Sequence, residues 1–174
     1  MKILWCVTGA GHLLRDCAKL VESIAKRHEI DLAYSDAGFQ VANIYGVTDS
    51  LNKAGRHVFF NKDQGPSSPL CAKVGTKTYD CVVIAPASAN TVAKLRYGIS
   101  DSLVTNVASQ ALKSRVKLYI LPTDTSSSVQ TELPSGKKTT IYPRPIDIKN
   151  AKGLGRQSGI GLASTPKELE AQFC

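Results

Sequence analysis

Three polar side chains, Ser88, Asn90 and Thr91, lie within four residues, soon after a mostly apolar run at 79–84. That run favours a strand and stops at a proline, and helical spacing begins after it, which predicts a strand, a short loop and a helix N-terminus. Unpaired N–H groups and the positive end of the helix dipole can hold a phosphate or the polar edge of a ring. We therefore predict a ligand site here; the alternative is that these side chains only cap the helix.

A second candidate site lies near the start of the chain, where Gly9-Ala10-Gly11 separates an apolar run from residues with helical spacing. The turn begins like a dinucleotide fingerprint, but Leu14 occupies the position of the third glycine. A tight turn that needs positive φ explains the glycines equally well. His12 follows the turn and could donate to a phosphate or act on a substrate, which makes it the candidate catalytic residue; the alternative is a solvated first-turn histidine.

Ser35 ends the second predicted strand, where dinucleotide enzymes often have an acid that binds the ribose. A hydroxyl at this position suits a phosphate monoester better and favours a mononucleotide cofactor. We interpret the adjacent Asp36 as a helix cap rather than a ligand. The sequence has no Walker lysine pattern, and no Ser-His-Asp order at the loop ends, which argues against ATP or GTP chemistry and against a hydrolase.

These residues must be positioned by an alternation of strands and helices. Apolar runs predict strands at 2–8, 29–34, 57–60, 79–84 and 116–121, and helical spacing predicts helices at 37–45, 88–97 and 101–113, the last capped by Ser100. This order is typical of an α/β fold with a doubly wound parallel sheet. Its switch point is expected between the first strand and the strand at 79–84. Loops 8–12, 34–38 and 85–91 should therefore converge on one crevice.

The remaining segments are less regular. Pro134-Ser135-Gly136 separates two short extended runs and predicts a small β-hairpin at about 131–143, outside the parallel sheet. Residues 49–55 and 61–68 read as polar loops. We predict an irregular tail over 144–174 that ends in a short helix capped by Thr165, with Pro166 at its first position. The length suits one domain over residues 1–174.

Composition narrows the classes of function. The net charge is +8, but the basic residues are scattered and aromatic residues make up only 6%, so we do not expect nucleic-acid binding. A basic surface suits an anionic cofactor or an acidic redox partner. The five cysteines include no C-x-x-C pair and no nearby histidine, so no metal site is expected. We find neither a signal peptide nor a membrane-spanning run and expect a cytoplasmic protein.

The predicted site segments resemble one known family. Residues 85–94, Ala-Pro-Ala-Ser-Ala-Asn-Thr-Val-Ala-Lys, and 97–106, Tyr-Gly-Ile-Ser-Asp-Ser-Leu-Val-Thr-Asn, closely resemble the flavoprotein superfamily of homo-oligomeric flavin-containing cysteine decarboxylases. Residues 7–12 and Ser35 look like its first and second flavin loops. The resemblance spans roughly residues 2–122. It implies a Rossmann-like fold that binds FMN and a homo-oligomer built from trimers, up to a dodecamer or larger shell.

The resemblance also implies which residues form the flavin site. One group would surround the phosphate and ribitol: Gly9, Ala10, Gly11, His12 and Ser35. A second group would surround the flavin ring: Pro86, Ala87, Ser88, Asn90 and Thr91.

Departures from the family pattern indicate which branch of the family this chain resembles. The decarboxylases have a histidine shortly before the fourth strand, where this chain reads Ser68-Pro-Leu-Cys71, and a proline-x-methionine-asparagine clamp where it reads Pro122-Thr-Asp-Thr125. The chain looks more like the redox branch of archaeoflavoproteins and dihydromethanopterin reductases. The resemblance implies an FMN-dependent oxidoreductase that reduces dihydromethanopterin to tetrahydromethanopterin. The candidate contacts for an acidic pterin tail are then His12, Lys137, Lys138 and Arg144; the alternative for the two lysines is a solvated hairpin.

Other functions stay open on the sequence alone. The chain could be an archaeoflavoprotein-type electron carrier that ferredoxin reduces, without a pterin site. It could be an FMN-dependent decarboxylase or prenyltransferase relative, or a flavin-binding regulator. The electron donor of a reductase could be ferredoxin, reduced flavin or NAD(P)H.

Overall fold

Six parallel strands form the central sheet of the computed structural model, which describes residues 1–64 and 68–173. The order of strands in this sheet is β3-β2-β1-β4-β5-β8, and β6 and β7 form a separate antiparallel hairpin. The strands are β1 Lys2–Val7, β2 Glu29–Tyr34, β3 His57–Phe60, β4 Cys81–Ala87, β5 Lys117–Pro122, β6 Val129–Glu132, β7 Lys138–Ile141 and β8 Ile160–Leu162. The predicted α/β fold, a Rossmann-like parallel sheet with a hairpin extension, is confirmed.

Helices cover both faces of the sheet. They are α1 Leu14–Ile24, α2 Asp36–Ile44, α3 Thr48–Ala54, α4 Asn61–Gln64, α5 Pro69–Gly75, α6 Ala89–Arg96, α7 Leu103–Lys113, α8 Pro145–Leu154 and α9 Pro166–Glu170, followed by a 3₁₀ turn at Ala171–Phe173. Within the described ranges, none of these helices has the length and apolar character that a bilayer crossing requires.

Two hydrophobic cores flank the sheet, one on each face. Along β1, Ile3 and Trp5 belong to one core, and Leu4 and Cys6 belong to the other. A strand that is buried on both faces has no polar side, so its sequence is a continuous apolar run. This is why β1 and most of β4 could be predicted from the sequence. The two strands are neighbours, which places the switch point where it was expected.

Two predicted boundaries near the site are wrong. Strand β4 continues through Pro86 to Ala87, because Ala87 pairs with Pro122 of β5 after a register shift. Helix α7 starts at Leu103, and its cap is Ser102 rather than Ser100. Ser102 and Thr105 form a capping box, with each side chain bonded to the other residue's backbone N–H, and this reciprocal pair selects Ser102.

Three segments predicted as loop or tail have regular structure. Residues 48–54 form α3, and the predicted loop at 61–68 begins with the short helix α4, while residues 65–67 lie outside the described residues. The predicted irregular tail contains α8, with a proline in its first turn and Asp147 bonded to the backbone of Arg144. The tail also supplies β8, a three-residue strand that depends on pairing with β5. The final helix has the predicted Thr165 cap.

Candidate functional site

The carboxyl ends of β1 and β4 are joined by the buried side chain of Thr8. Its hydroxyl donates to the carbonyl oxygen of Pro86 at 2.8 Å and accepts from the backbone N–H of Ser88 at 2.9 Å. The Ala85–Pro86 peptide bond is cis. Thr8 therefore links the first loop directly to the start of α6, and two of the three predicted loops meet as expected.

The first two loops contact each other through glycine. A Cβ on Gly38 would lie 2.2 Å from the carbonyl oxygen of Val7, and a Cβ on Gly9 would lie 2.7 Å from the Cβ of Ala37. The backbone N–H of Ser35 donates to the Val7 carbonyl at 3.1 Å, which closes the same contact. All three predicted loops thus converge on one crevice.

The glycines of the first loop allow neighbouring residues to approach the backbone closely. They do not supply a special backbone conformation. Neither Gly9 nor Gly11 has positive φ, whereas Leu13 does, at 63°. A Cβ on Gly11 would lie 2.2 Å from the hydroxyl oxygen of Tyr45. The positive-φ explanation is therefore wrong for these two positions, and Gly38 is a site glycine that sequence analysis missed.

Ser35, not Asp36, caps α2. Its hydroxyl oxygen accepts from the backbone N–H of Gly38 at 3.0 Å. The hydroxyl proton of Ser35 and the first N–H groups of α2 can still donate to an anion. Asp36 instead accepts from the Asn61 side-chain amide at 2.6 Å, and the amide oxygen of Asn61 accepts from the Leu103 N–H at 2.7 Å. Asn61 therefore holds the Asp36 carboxylate, a role that the sequence did not indicate.

The three polar residues after β4 have separate roles. Ser88 accepts from the Thr91 backbone N–H at 3.3 Å, and their hydroxyl oxygens lie 3.1 Å apart. Ser88 therefore caps α6, and Thr91 bonds to the cap. The Asn90 side chain is exposed, and we find no hydrogen bond to it within residues 1–64 and 68–173. Asn90 is thus free to meet a ligand at the start of α6.

His12 is half-buried and lies under the influence of two carboxylates. Burial lowers the pKa of its imidazole below 6.5, and the negative charges of Asp124 and Asp16 oppose this shift. The net effect keeps the ring neutral at pH 7, so one ring nitrogen can donate a hydrogen bond and the other can accept one. Asp124 follows β5, next to the predicted switch point. Sequence analysis noted it only as a departure from the decarboxylase pattern.

A cavity of about 610 Å³ adjoins the crevice at Gly11 and His12. It lies between the start of α1 and the hairpin, within the size range of small-molecule sites. Its other polar lining residues are Arg15, Asp16, Lys19, Tyr45, Gln130, Thr131, Glu132 and Lys138. Of the three basic residues proposed for an acidic tail, only Lys138 lines it. Arg144 instead forms an ion pair with Asp147, which lowers the pKa of that carboxyl group.

The hairpin is held in place by α1 and α2. The Arg15 guanidinium forms an ion pair with Glu132, donates to the Pro134 carbonyl at 3.0 Å and lies 5.6 Å from the centre of the Tyr45 ring. The Tyr45 hydroxyl donates to the Glu132 carbonyl at 3.0 Å. The hairpin thus forms one wall of the cavity, which neither hairpin prediction nor helix prediction could anticipate.

Comparison with known proteins identifies related chains. The family model described as Flavoprotein matches residues 1–171. The dihydromethanopterin reductase (acceptor) of Methanosarcina mazei is 36% identical over 141 residues, which cover 76% of this chain and 59% of that protein. The enzyme of the same name from Methanocaldococcus jannaschii is 35% identical over 160 residues, which cover 87% and 62%. The chain thus spans about three fifths of each reductase.

A solved structure is similar along nearly the whole chain. DmrB from Burkholderia xenovorans in complex with FMN, described as a cubic protein cage for redox transfer, has a TM-score of 0.85 and 32% identity. The match covers 98% of this chain and 92% of DmrB.

Proposed function

The chain belongs to the flavoprotein family, and on that premise we propose that it binds FMN in the crevice and reduces dihydromethanopterin to tetrahydromethanopterin. The observation that carries the proposal is the meeting of three loops around Thr8, Gly38 and the start of α6 at the switch point of the sheet. The names of the two related reductases and the FMN complex of DmrB support the choice of reaction and cofactor.

The residues of the crevice fit the parts of FMN. We assign the phosphate and ribitol to Gly9, Ala10, Gly11 and Ser35, because these residues lie in the loops that meet at the crevice and Ser35 retains a donor. Around the flavin ring we assign Pro86, Ala87, Ser88, Asn90 and Thr91. Within this group, Asn90 offers a free amide, whereas Ser88 and Thr91 hold the helix start in position.

The adjoining cavity is the proposed site of the pterin. It shares Gly11 and His12 with the crevice, and Lys19 and Lys138 can attract an acidic tail. FMN, when bound, would supply the two-electron reduction. His12, neutral at pH 7, would orient the substrate through a hydrogen bond from its ring N–H, and water would supply the proton that accompanies the hydride. The Arg15 and Tyr45 contacts to the hairpin would exclude water from one side of the cavity.

We also propose that the protein is a homo-oligomer built from trimers. Several large apolar side chains are exposed, including Ile44 at 63% and Tyr142 at 76%. Such residues are typical of contact surfaces when they form patches. Ferredoxin, reduced flavin or NAD(P)H is the proposed electron donor.

The test begins with the visible spectrum of the purified protein and identification of the released cofactor, followed by anaerobic assay of dihydromethanopterin with each donor. FMN bound in a one-to-one ratio together with pterin reduction would support the proposal. FMN that ferredoxin reduces without pterin turnover would establish an electron carrier instead. Failure to bind FMN would overturn both functions.

A further inference from the structure

A second concave site lies at the opposite end of α6 from the flavin crevice. It is a groove of about 360 Å³ between the C-terminal end of α6 and α8. Its lining comprises Arg96, Tyr97, Pro145, Ile148, Lys149, Asn150, Lys152, Gly153 and Arg156. The eight residues of α6 separate the two sites by about 12 Å along the helix axis. We call this site the basic groove.

The basic groove concentrates positive charge without neutralising it. Its lining includes Arg96, Lys149, Lys152 and Arg156 and contains no acidic residue. None of the ion pairs found within the described ranges involves these four side chains. Favourable interaction with helix dipoles accounts for Arg96 and Lys152, which lie in the last turns of α6 and α8. The helix dipoles do not account for Lys149. The group of four basic side chains therefore indicates an anionic ligand.

The backbone of α8 gives Arg96 its place in the groove. A Cβ on Gly153 would lie 2.4 Å from Nε of Arg96, so the side chain lies directly against the helix where that Cβ is missing. The Gln157 amide donates to the carbonyl oxygen of Arg96 at 3.1 Å and fixes the end of α6 to the end of α8. These contacts place a guanidinium from one helix beside the lysines of the other.

Asn150 adds a polar amide to the lining of the groove. Its side chain is only 5% exposed and lines the groove, yet no hydrogen bond to it is found in the described part of the chain. The amide opens onto the groove, because no fully buried side-chain nitrogen or oxygen lacks a hydrogen-bond partner among the described residues. A polar ligand in the groove would satisfy it.

The mouth of the groove carries an exposed aromatic ring. Tyr97 is 65% exposed, and the Arg96 guanidinium lies 6.0 Å from the centre of its ring. A flat ring on a ligand could stack there while its phosphate oxygens meet the cationic side chains. We propose that the basic groove binds a phosphate ester that carries a planar ring, of the nucleoside phosphate type, separately from the flavin crevice.

The test uses the FMN-loaded protein and isothermal titration calorimetry with ADP, pyrophosphate and adenosine as probes. ADP should bind at least tenfold more tightly than pyrophosphate, and adenosine alone should bind weakly. Replacing Lys149 and Lys152 by Ala together should weaken ADP binding by tenfold or more, since both lysines would lose their charged contacts with phosphate oxygens. Asn150→Asp should abolish ADP binding through charge repulsion at nearly constant size.

A matched control separates a specific site from general charge attraction. Replacing the exposed Lys26 and Lys167 by Ala makes the same change in net charge elsewhere and should leave ADP binding unchanged. Equal weakening in both double variants would overturn the proposal, as would absence of ADP binding or equal affinity for ADP and pyrophosphate. A change of oligomer size in the groove variant without ADP binding would instead assign the groove to contact between copies. Flavin content, measured in each variant, reports on the proposed function independently.

Discussion

The hydroxyl of Thr8 accepts a hydrogen bond from the backbone N–H of Ser88 at 2.9 Å, although the two residues lie 80 positions apart. The same hydroxyl donates to the Pro86 carbonyl. One buried side chain therefore sets the distance between the loop after β1 and the start of α6.

Thr8→Val should damage both the fold and the flavin site. Valine keeps the shape of threonine but leaves the Ser88 N–H and the Pro86 carbonyl without this partner, at a cost of about 1–3 kcal/mol in the free energy of unfolding. Thermal unfolding and the ratio of FMN to protein would measure the two effects. Thr8→Ser retains the hydroxyl and should keep more flavin than Thr8→Val; equal flavin contents would contradict the bridging role.

Gly9→Ala should reduce FMN binding through a clash that can be relieved. The new Cβ would lie 2.7 Å from the Cβ of Ala37, and overpacking of this kind costs about 1–3 kcal/mol. Adding Ala37→Gly removes the opposing atom, so the double variant should regain much of the lost flavin affinity. Fluorescence titration with FMN would test this. Absence of rescue would show that Gly9 serves another purpose.

Asn90→Ala should weaken FMN binding by roughly tenfold with little effect on stability, because the exposed amide has no partner within the described ranges. Ser88→Ala is the informative comparison, since loss of the helix cap should lower the free energy of unfolding by about 1 kcal/mol. Titration with FMN and denaturant unfolding would separate the two effects. Unchanged FMN affinity in Asn90→Ala would exclude Asn90 from the site.

Lys138→Ala should raise the KM for dihydromethanopterin about three- to tenfold without changing flavin content, because Lys138 lines the cavity proposed for the pterin tail. Lys137→Ala is a matched control, since this neighbouring lysine does not line the cavity. Steady-state kinetics at fixed salt would compare the two. Similar KM values for both variants would place the acidic tail elsewhere.

The flavin-free protein should become less stable as the pH falls, and His12 should contribute to this loss. Its pKa in the folded state lies below 6.5, mainly because of burial, so the unfolded state binds the proton more readily. The contribution is therefore fully present above about pH 6.5 and is lost as the pH falls through the folded pKa. Denaturant unfolding between pH 5 and 8 should show a smaller decline for His12→Gln. Identical profiles would contradict this role.

Much of the architecture follows from local sequence. Strands β1 and β4 contain apolar runs because both faces are buried, and the hairpin is marked by its Pro-Ser-Gly turn. Ser88 has the residue type and position of a helix cap, which the structure bears out, whereas the cap predicted at Asp36 is formed by Ser35. By contrast, the three-residue β8 has too little pattern of its own, because its backbone is satisfied only by pairing with β5.

The sequence by itself determined strands β1 to β5, the switch point and the loops that meet there, because hydrophobic periodicity and capping act over a few residues. Tertiary structure alone decided which groups face each other across those loops. The Thr8 bridge, the contact of Gly38 with Val7 and the placing of Asn150 among cations join residues that are distant in sequence or on separate elements. Such contacts depend on packing geometry, which leaves no periodic signal in the chain.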